Sequence, residues 1–155
     1  MIKLVRLDYR LLHGQVVFAW TGHMGAQRII VVDDDAATDE MKKAALMLSK
    51  PAGVRVNIFT VDKTIAKMPK VEQLDENIMM IFGSTASLLR FCQAYPKIRE
   101  INYGAVANKP GSTAFDQSVF LTPEEQEDTR KLLELGIRIY SQQTPTFKVV
   151  PIDHV

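Results

Sequence analysis

Two runs in this chain consist only of large apolar residues, Ile29-Ile30-Val31-Val32 and Ile78-Met79-Met80-Ile81-Phe82. A strand with one wet face alternates apolar and polar residues, whereas a strand apolar at every position is buried on both faces. Such strands need a sheet covered on both sides. A parallel sheet whose crossovers are helices meets that need.

The rest of the chain agrees with it. Further strand-like stretches occur at Ile2 to Leu7, Val54 to Val61, Ile98 to Tyr103, Ser118 to Leu121 and Ile137 to Tyr140. Helical spacings lie between them. Val16, Val17, Trp20 and Met24 give Gln15 to Met24 one apolar face, with Trp20 packed on the sheet and Gly25 as the stop. Thr38, Asp39 and Glu40 start a helix that Lys50-Pro51 ends, and its stripe of Met41, Ala44, Ala45 and Leu48 is expected to face the sheet. Ile65 and Met68 mark a short helix closed by Pro69, and Leu88, Leu89, Phe91 and Cys92 mark another. Thr122-Pro123-Glu124-Glu125 is the clearest start, with a threonine cap, a proline at the first position and a glutamate placed for a capping box; Gly136 stops that helix. Residues 105–117 read as a loop, and the tail with Pro145, Pro151 and His154 as irregular. The expectation is a single-domain α/β protein, a three-layer α/β/α sandwich with a mainly parallel, mixed sheet.

Composition limits the function classes. At 155 residues the chain fits one domain with a core that needs neither disulfide nor structural metal. A formal net charge of +1 supplies no global basic field, so nucleic acid is not an expected partner. Cys92 is the one cysteine, which excludes an internal disulfide and fits a reducing compartment. No secretion signal and no apolar stretch approaching the ~20 residues of a membrane span is visible, and a cytoplasmic location is expected.

The chemistry concentrates where the first strand ends. Asp8, Arg10 and His13 fall within six residues, followed by Gly14, which lets the backbone approach a ligand, and by the start of a helix at Gln15. Strand ends and helix amino termini meet at this edge of an α/β sheet, and unpaired helix N–H groups favour an anion there. Read alone, His13 is equally a capping or packing residue, and Asp8 with Arg10 a surface ion pair. Asp33, Asp34 and Asp35 follow the second strand. Asp33 and Asp35 fit a metal-dependent transferase, with helix capping as the plain alternative. Gly83-Ser84-Thr85 is a small strand-to-helix turn on the same edge, without the lysine of a nucleotide-hydrolase loop. His23, near a helix end, and His154, near the chain end, offer no comparable setting.

The run Arg6-Leu7-Asp8-Tyr9-Arg10-Leu11-Leu12-His13-Gly14-Gln15-Val16 resembles the amino-terminal signature of the IIB components of the sugar phosphotransferase system, in the mannose/fructose/sorbose family. Arg28-Ile29-Ile30-Val31-Val32-Asp33-Asp34, Lys50-Pro51-Ala52-Gly53-Val54 and Ile101-Asn102-Tyr103-Gly104 follow in family-like order and spacing, so the resemblance covers essentially the whole chain. It implies that His13 takes a phosphoryl group from a phosphohistidine on a partner IIA domain and passes it to a hexose or amino sugar held by membrane IIC and IID subunits. Arg10 would bind phosphoryl oxygens, Asp8 would hold the loop or Arg10, and backbone N–H groups around Leu12, Gly14 and Gln15 would complete the cradle. Gly83 and Ser84 are possible lining residues, and the loop from Asn102 and Gly104 is expected near His13. No metal or other cofactor is demanded by such a transfer.

The resemblance also implies an exposed His13 within a shallow apolar face, partly supplied by Leu11 and Leu12, and peripheral association with the membrane permease. Mannose, fructose, sorbose and N-acetylgalactosamine all fit, because sugar recognition would belong to the membrane subunits. A homodimer is compatible with exposed apolar patches. The chain departs from the family at Tyr9, where an acid or asparagine is common, and at Ser112, where many relatives carry a lysine after the glycine. Two readings of other classes stand beside this one: the transferase using Asp33 and Asp35, and a non-catalytic signalling or binding domain in which His13 is structural.

Overall fold

The computed structural model describes residues 1–155. In chain order its elements are β1 (Ile2–Asp8), α1 (Gly14–Met24), β2 (Arg28–Val32), α2 (Asp34–Thr38), α3 (Glu40–Met47), β3 (Arg55–Phe59), α4 (Val61–Val71), β4 (Ile78–Phe82), α5 (Thr85–Ala94), β5 (Glu100–Ala105), β6 (Thr113–Asp116), β7 (Val119–Leu121), α6 (Pro123–Glu134), β8 (Arg138–Ser141) and β9 (Val150–Pro151). Seven strands form one sheet in the order β3-β2-β4-β1-β5-β8-β9. All its pairings are parallel except β8 with β9.

Alternation along the strands sorts the core into two layers. Leu4, Ile29, Val31, Met79 and Ile81 point to one face and pack with Val17 and Trp20 of α1 and Ala36 of α2. Val5, Leu7, Ile30, Val32, Ile78, Met80 and Phe82 point to the other, against Val61 and Met68 of α4, Leu88, Phe91 and Cys92 of α5 and Leu132 of α6. Both apolar runs are therefore buried on two sides, and the three-layer sandwich with a mainly parallel, mixed sheet is observed. Burial also pushes the Cys92 thiol up to about 12, which leaves it protonated and inert.

Several elements differ from expectation. The helix expected from Thr38 is α3, which starts at Glu40 with Asp39 as its cap and ends at Met47, and an unexpected short helix, α2, capped by Asp33, precedes it. α2 supplies the buried contact through Ala36, and α3 buries no residue. The stripe of Met41, Ala44, Ala45 and Leu48 faces solvent instead of the sheet, with Met41 84% and Leu48 89% exposed. Pro69 does not close its helix: α4 runs on to Val71, since a proline so near the carboxyl end removes one donor without costing the turns before it. Residues 105–117 hold β6, the first arm of an antiparallel hairpin with β7. The tail is not wholly irregular, because Val150–Pro151 forms β9 at the sheet edge. At α6 the capping box forms as expected, with Thr122 Oγ accepting from Glu125 N and Glu125 Oε1 accepting from Thr122 N.

Candidate functional site

Strand order places the site. β1 lies between β4 and β5, and the helices that follow the neighbouring strands β1 and β4 pack on opposite faces, α1 on one and α5 on the other. The chain therefore parts above the carboxyl ends of β1 and β4, which is where α/β sheets open a crevice. The segment from Tyr9 to His13 fills one side of it, and Gly83-Ser84 the other.

The β1–α1 segment is held from below. Tyr9 N donates to Ala105 O at 3.0 Å, and Leu11 N to Asp8 O at 3.0 Å. Leu11 is the one non-glycine residue with positive φ, at 62°, a conformation that costs about 1 kcal/mol and persists only where packing enforces it. The packing is evident. Leu11 and Leu12 turn inward into the core, so they do not form the apolar docking face expected of them. Tyr9 and Phe18 are the exposed large apolar side chains of this part of the chain.

Turning Leu11 and Leu12 inward leaves His13 exposed at the N-cap of α1. Its carbonyl accepts from Val16 N and Val17 N, while its side chain makes no capping hydrogen bond. The amides of Leu12, His13, Gly14 and Gln15 donate to no acceptor in the chain. Gly14, at φ 35°, opens the helix there with free space around it. The result is a solvent-facing imidazole beside the positive end of a helix dipole.

Beneath it lies a buried charge network. Asp8, 1% exposed, accepts from Arg10 N at 2.9 Å, from Arg10 Nε at 3.1 Å and from Arg10 Nη2 at 3.1 Å. It also accepts from Arg6 Nη2 at 3.1 Å. Arg10 is thus held by one edge of its fork, and its Nη1 keeps no protein partner. Arg6, 2% exposed, sends Nη1 to Asn102 Oδ1 at 2.5 Å and to Gln142 O at 3.1 Å. Its guanidinium lies 5.6 Å from the Trp20 ring centroid. The Gly104 backbone lies so close that a Cβ at 104 would collide with the guanidinium. Burial lowers the Arg6 pKa and Asp8 opposes that shift; a guanidinium stays charged regardless.

Asn102 and Gly104 therefore do not form a loop near His13. Both lie inside β5, buried, and both meet Arg6. Gly83 packs between Asp33 and Leu11, where a Cβ would stand 2.6 Å from Asp33 Oδ1 and 3.1 Å from Leu11 Cδ2. Ser84 caps α5 by accepting from Ser87 N. Asp33 caps α2 through Ala36 N, Asp34 accepts from Val61 N, and Asp35 is exposed in the first turn of α2. No three His, Cys, Asp or Glu side chains gather where a cation would be held. Arg6, Trp20 and Gln142 were not anticipated as parts of the site. An arginine amid the apolar residues of a central strand was the available signal, since a buried charge requires partners.

His13 does not sit in an enclosed cavity. A cavity of about 720 Å³ lies around Met1, Lys3, Glu72, Lys97 and Glu100, towards the opposite edge of the sheet. A shallower groove of about 430 Å³ flanks α1 between Gln15, Ala19 and His23 on one side and Thr144, Pro145 and Thr146 on the other. An exposed reactive group at an open edge suits transfer between macromolecules better than the enclosure of a small substrate.

Known proteins share this sequence pattern and this fold. Residues 2–155 match the family model for the sorbose subfamily IIB component of the PTS. A sorbose-specific EIIB component from Klebsiella pneumoniae is 32% identical over 138 residues, which are 89% of this chain and 84% of that protein. The mannose-specific EIIAB component of Escherichia coli K12 is 32% identical over 94% of this chain, which spans 45% of that longer protein. Among solved structures, the IIBSor domain of the K. pneumoniae sorbose permease superposes with a TM-score of 0.91 at 30% identity, covering 99% of this chain and 94% of that one. The N-acetylgalactosamine-specific IIB component 1 of E. coli gives a TM-score of 0.91 at 25% identity, covering 98% and 99%.

Proposed function

We propose, for a chain that belongs to the sorbose subfamily of PTS IIB components, that His13 is its phosphoryl carrier. The observation that carries the reading is the exposed imidazole of His13 at the one helix start in the chain that no side chain caps. A phosphohistidine on a IIA domain is the donor, and a sugar hydroxyl presented by membrane IIC and IID subunits is the acceptor.

In the first step a neutral His13 nitrogen attacks phosphorus in line. The donor's N–P bond breaks as the new one forms, and the donor imidazole leaves with the electron pair. Charge spreads over three equatorial oxygens, so catalysis needs positioning and cationic or N–H contacts rather than a base. Arg10 offers its free Nη1, and the unpartnered amides of Leu12 to Gln15 offer donors. Asp8, enclosed by two guanidiniums, is an anchor for Arg10 and not a general base. In the second step the sugar oxygen attacks the same phosphorus, the His13 N–P bond breaks, and the freed imidazole is available for the proton the hydroxyl loses.

The openness of the site supports alternate docking of two partners on one nitrogen, which favours brief, weak encounters. Mannose, fructose, sorbose and amino sugars all remain acceptors consistent with this chain, and no resident cofactor takes part. The test is phosphoenolpyruvate-driven labelling through the general phosphotransferase proteins and a IIA donor. Wild type acquires an acid-labile, alkali-stable label that His13→Ala lacks. A donor chain that labels a control IIB but labels both of these proteins equally, or neither, rules the assignment out.

A further inference from the structure

We infer that Arg6, which never meets solvent, sets the positive charge of the phosphoryl site and so acts as a positioning residue for His13 chemistry. This rests on the phosphoryl-carrier reading above. Asp8 binds two guanidiniums, Arg6 from inside and Arg10 from outside. Two cations and one anion leave the cluster with one net positive charge. Without Arg6, Asp8 would cancel Arg10 and the segment would approach a dianionic phosphoryl group with no net charge of its own.

The surroundings of Arg6 fit that role better than a packing role. An apolar side chain would fill the space between Trp20 and the Gly104 backbone without a desolvated cation. Instead the chain supplies Asn102 Oδ1 from within β5 and the Gln142 carbonyl from just past β8 to hold one guanidinium nitrogen. Gly104 leaves room for the group that a side chain there would displace. Asn102 is itself fixed, donating through Nδ2 to Gln142 O at 3.0 Å. Burial of Arg6 and Asp8 also means that the net charge of the three-membered cluster is weakly screened at the segment above.

The test compares Arg6→Lys, Arg6→Gln and Arg6→Gln/Asp8→Asn, with folding checked by circular dichroism. Two quantities are read: the rate of phosphoryl transfer from IIA per folded molecule, and the equilibrium ratio of phospho-His13 to phospho-donor. Arg6→Gln is expected to lower both about tenfold, and Arg6→Lys to return both to within about threefold of wild type. The double variant again carries one net positive charge, and its equilibrium ratio is expected within about threefold of wild type. It also holds no buried ion pair, so it supplies the comparison if Arg6→Gln does not fold. A folded Arg6→Gln equal to wild type, a lysine variant no better than glutamine, or a double variant tenfold low at equilibrium overturns the inference. Absence of label from wild-type His13 would instead overturn the underlying reading.

Discussion

Two strand-to-helix turns stand side by side at the carboxyl edge of this sheet, and they are built in opposite ways. At the β4–α5 turn, Ser84 takes a β conformation and its hydroxyl accepts from Ser87 N, so the helix start is satisfied by its own chain. At the β1–α1 turn the cap position holds His13, whose side chain makes no such bond, and Leu11 is forced to φ 62°. α2, α3, α4 and α6 follow the first pattern, with Asp33, Asp39, Thr60 and Thr122 as caps. The difference shows where the chain gives up local stability. An uncapped helix start, a strained leucine and three charged side chains locked together are what a site for an anionic group requires, and none of them helps the fold.

The largest effect expected from breaking this contrast is on activity. His13→Ala should abolish phosphoryl acceptance while leaving the unfolding midpoint in urea close to wild type, because the side chain is exposed and bonded to nothing. Ser84→Ala should do the reverse, retaining label and losing about 1 kcal/mol of stability. Gly83→Ala should cost about 2 kcal/mol, since its methyl would press on Asp33 Oδ1 and Leu11 Cδ2 and so disturb both turns together. His13→Asp should stabilise by about 1 kcal/mol, by giving α1 the cap it lacks and a negative charge at its positive end, in a protein that no longer accepts a phosphoryl group at that position.

The smallest effect lies away from both turns, where Glu76 precedes β4. A hydrogen bond from Arg28, followed by the charges of Arg28 and Arg55, holds its carboxyl below the ordinary 4.5. A carboxyl lowered by folding stabilises fully above its unfolded value, and that contribution fades as pH falls through the folded one. The stability gap between wild type and Glu76→Gln should therefore be largest near neutrality and close below pH 4.5, as read from urea midpoints.

How far each feature could be read beforehand follows from where its cause lies. The strands at 29–32 and 78–82 and the capping box at Thr122 are set by residues a few positions apart, and they appear as expected. α2 is hidden because the Thr38-Asp39-Glu40 start signal masks that Asp33 already caps an earlier turn. α2 takes the place on the sheet through Ala36, and of the apolar residues of α3 only Leu46 packs against that core layer. Arg6 is visible in the sequence as a charge within an apolar strand, but the groups that hold it are not. Its partners Asn102 and Gln142 lie 96 and 136 positions away, and no periodicity links them. The inward turn of Leu11 and Leu12 was equally hidden, because apolarity alone does not distinguish a docking face from a core contact.

The most direct measurement is a pair of amide spectra of the 15N-labelled protein before and after enzymatic phosphorylation, with 31P detection of the new bond. With His13 as the carrier, a phosphoramidate signal appears, the His13 ring resonances move, and the largest amide shifts fall at Leu12 to Gln15. Amides at the capped turn, Thr85 to Ser87, should move far less. A phosphorylated protein whose largest shifts fall at the Asp33 to Asp35 segment or at the Ser84 turn, with the His13 ring unchanged, would contradict that role.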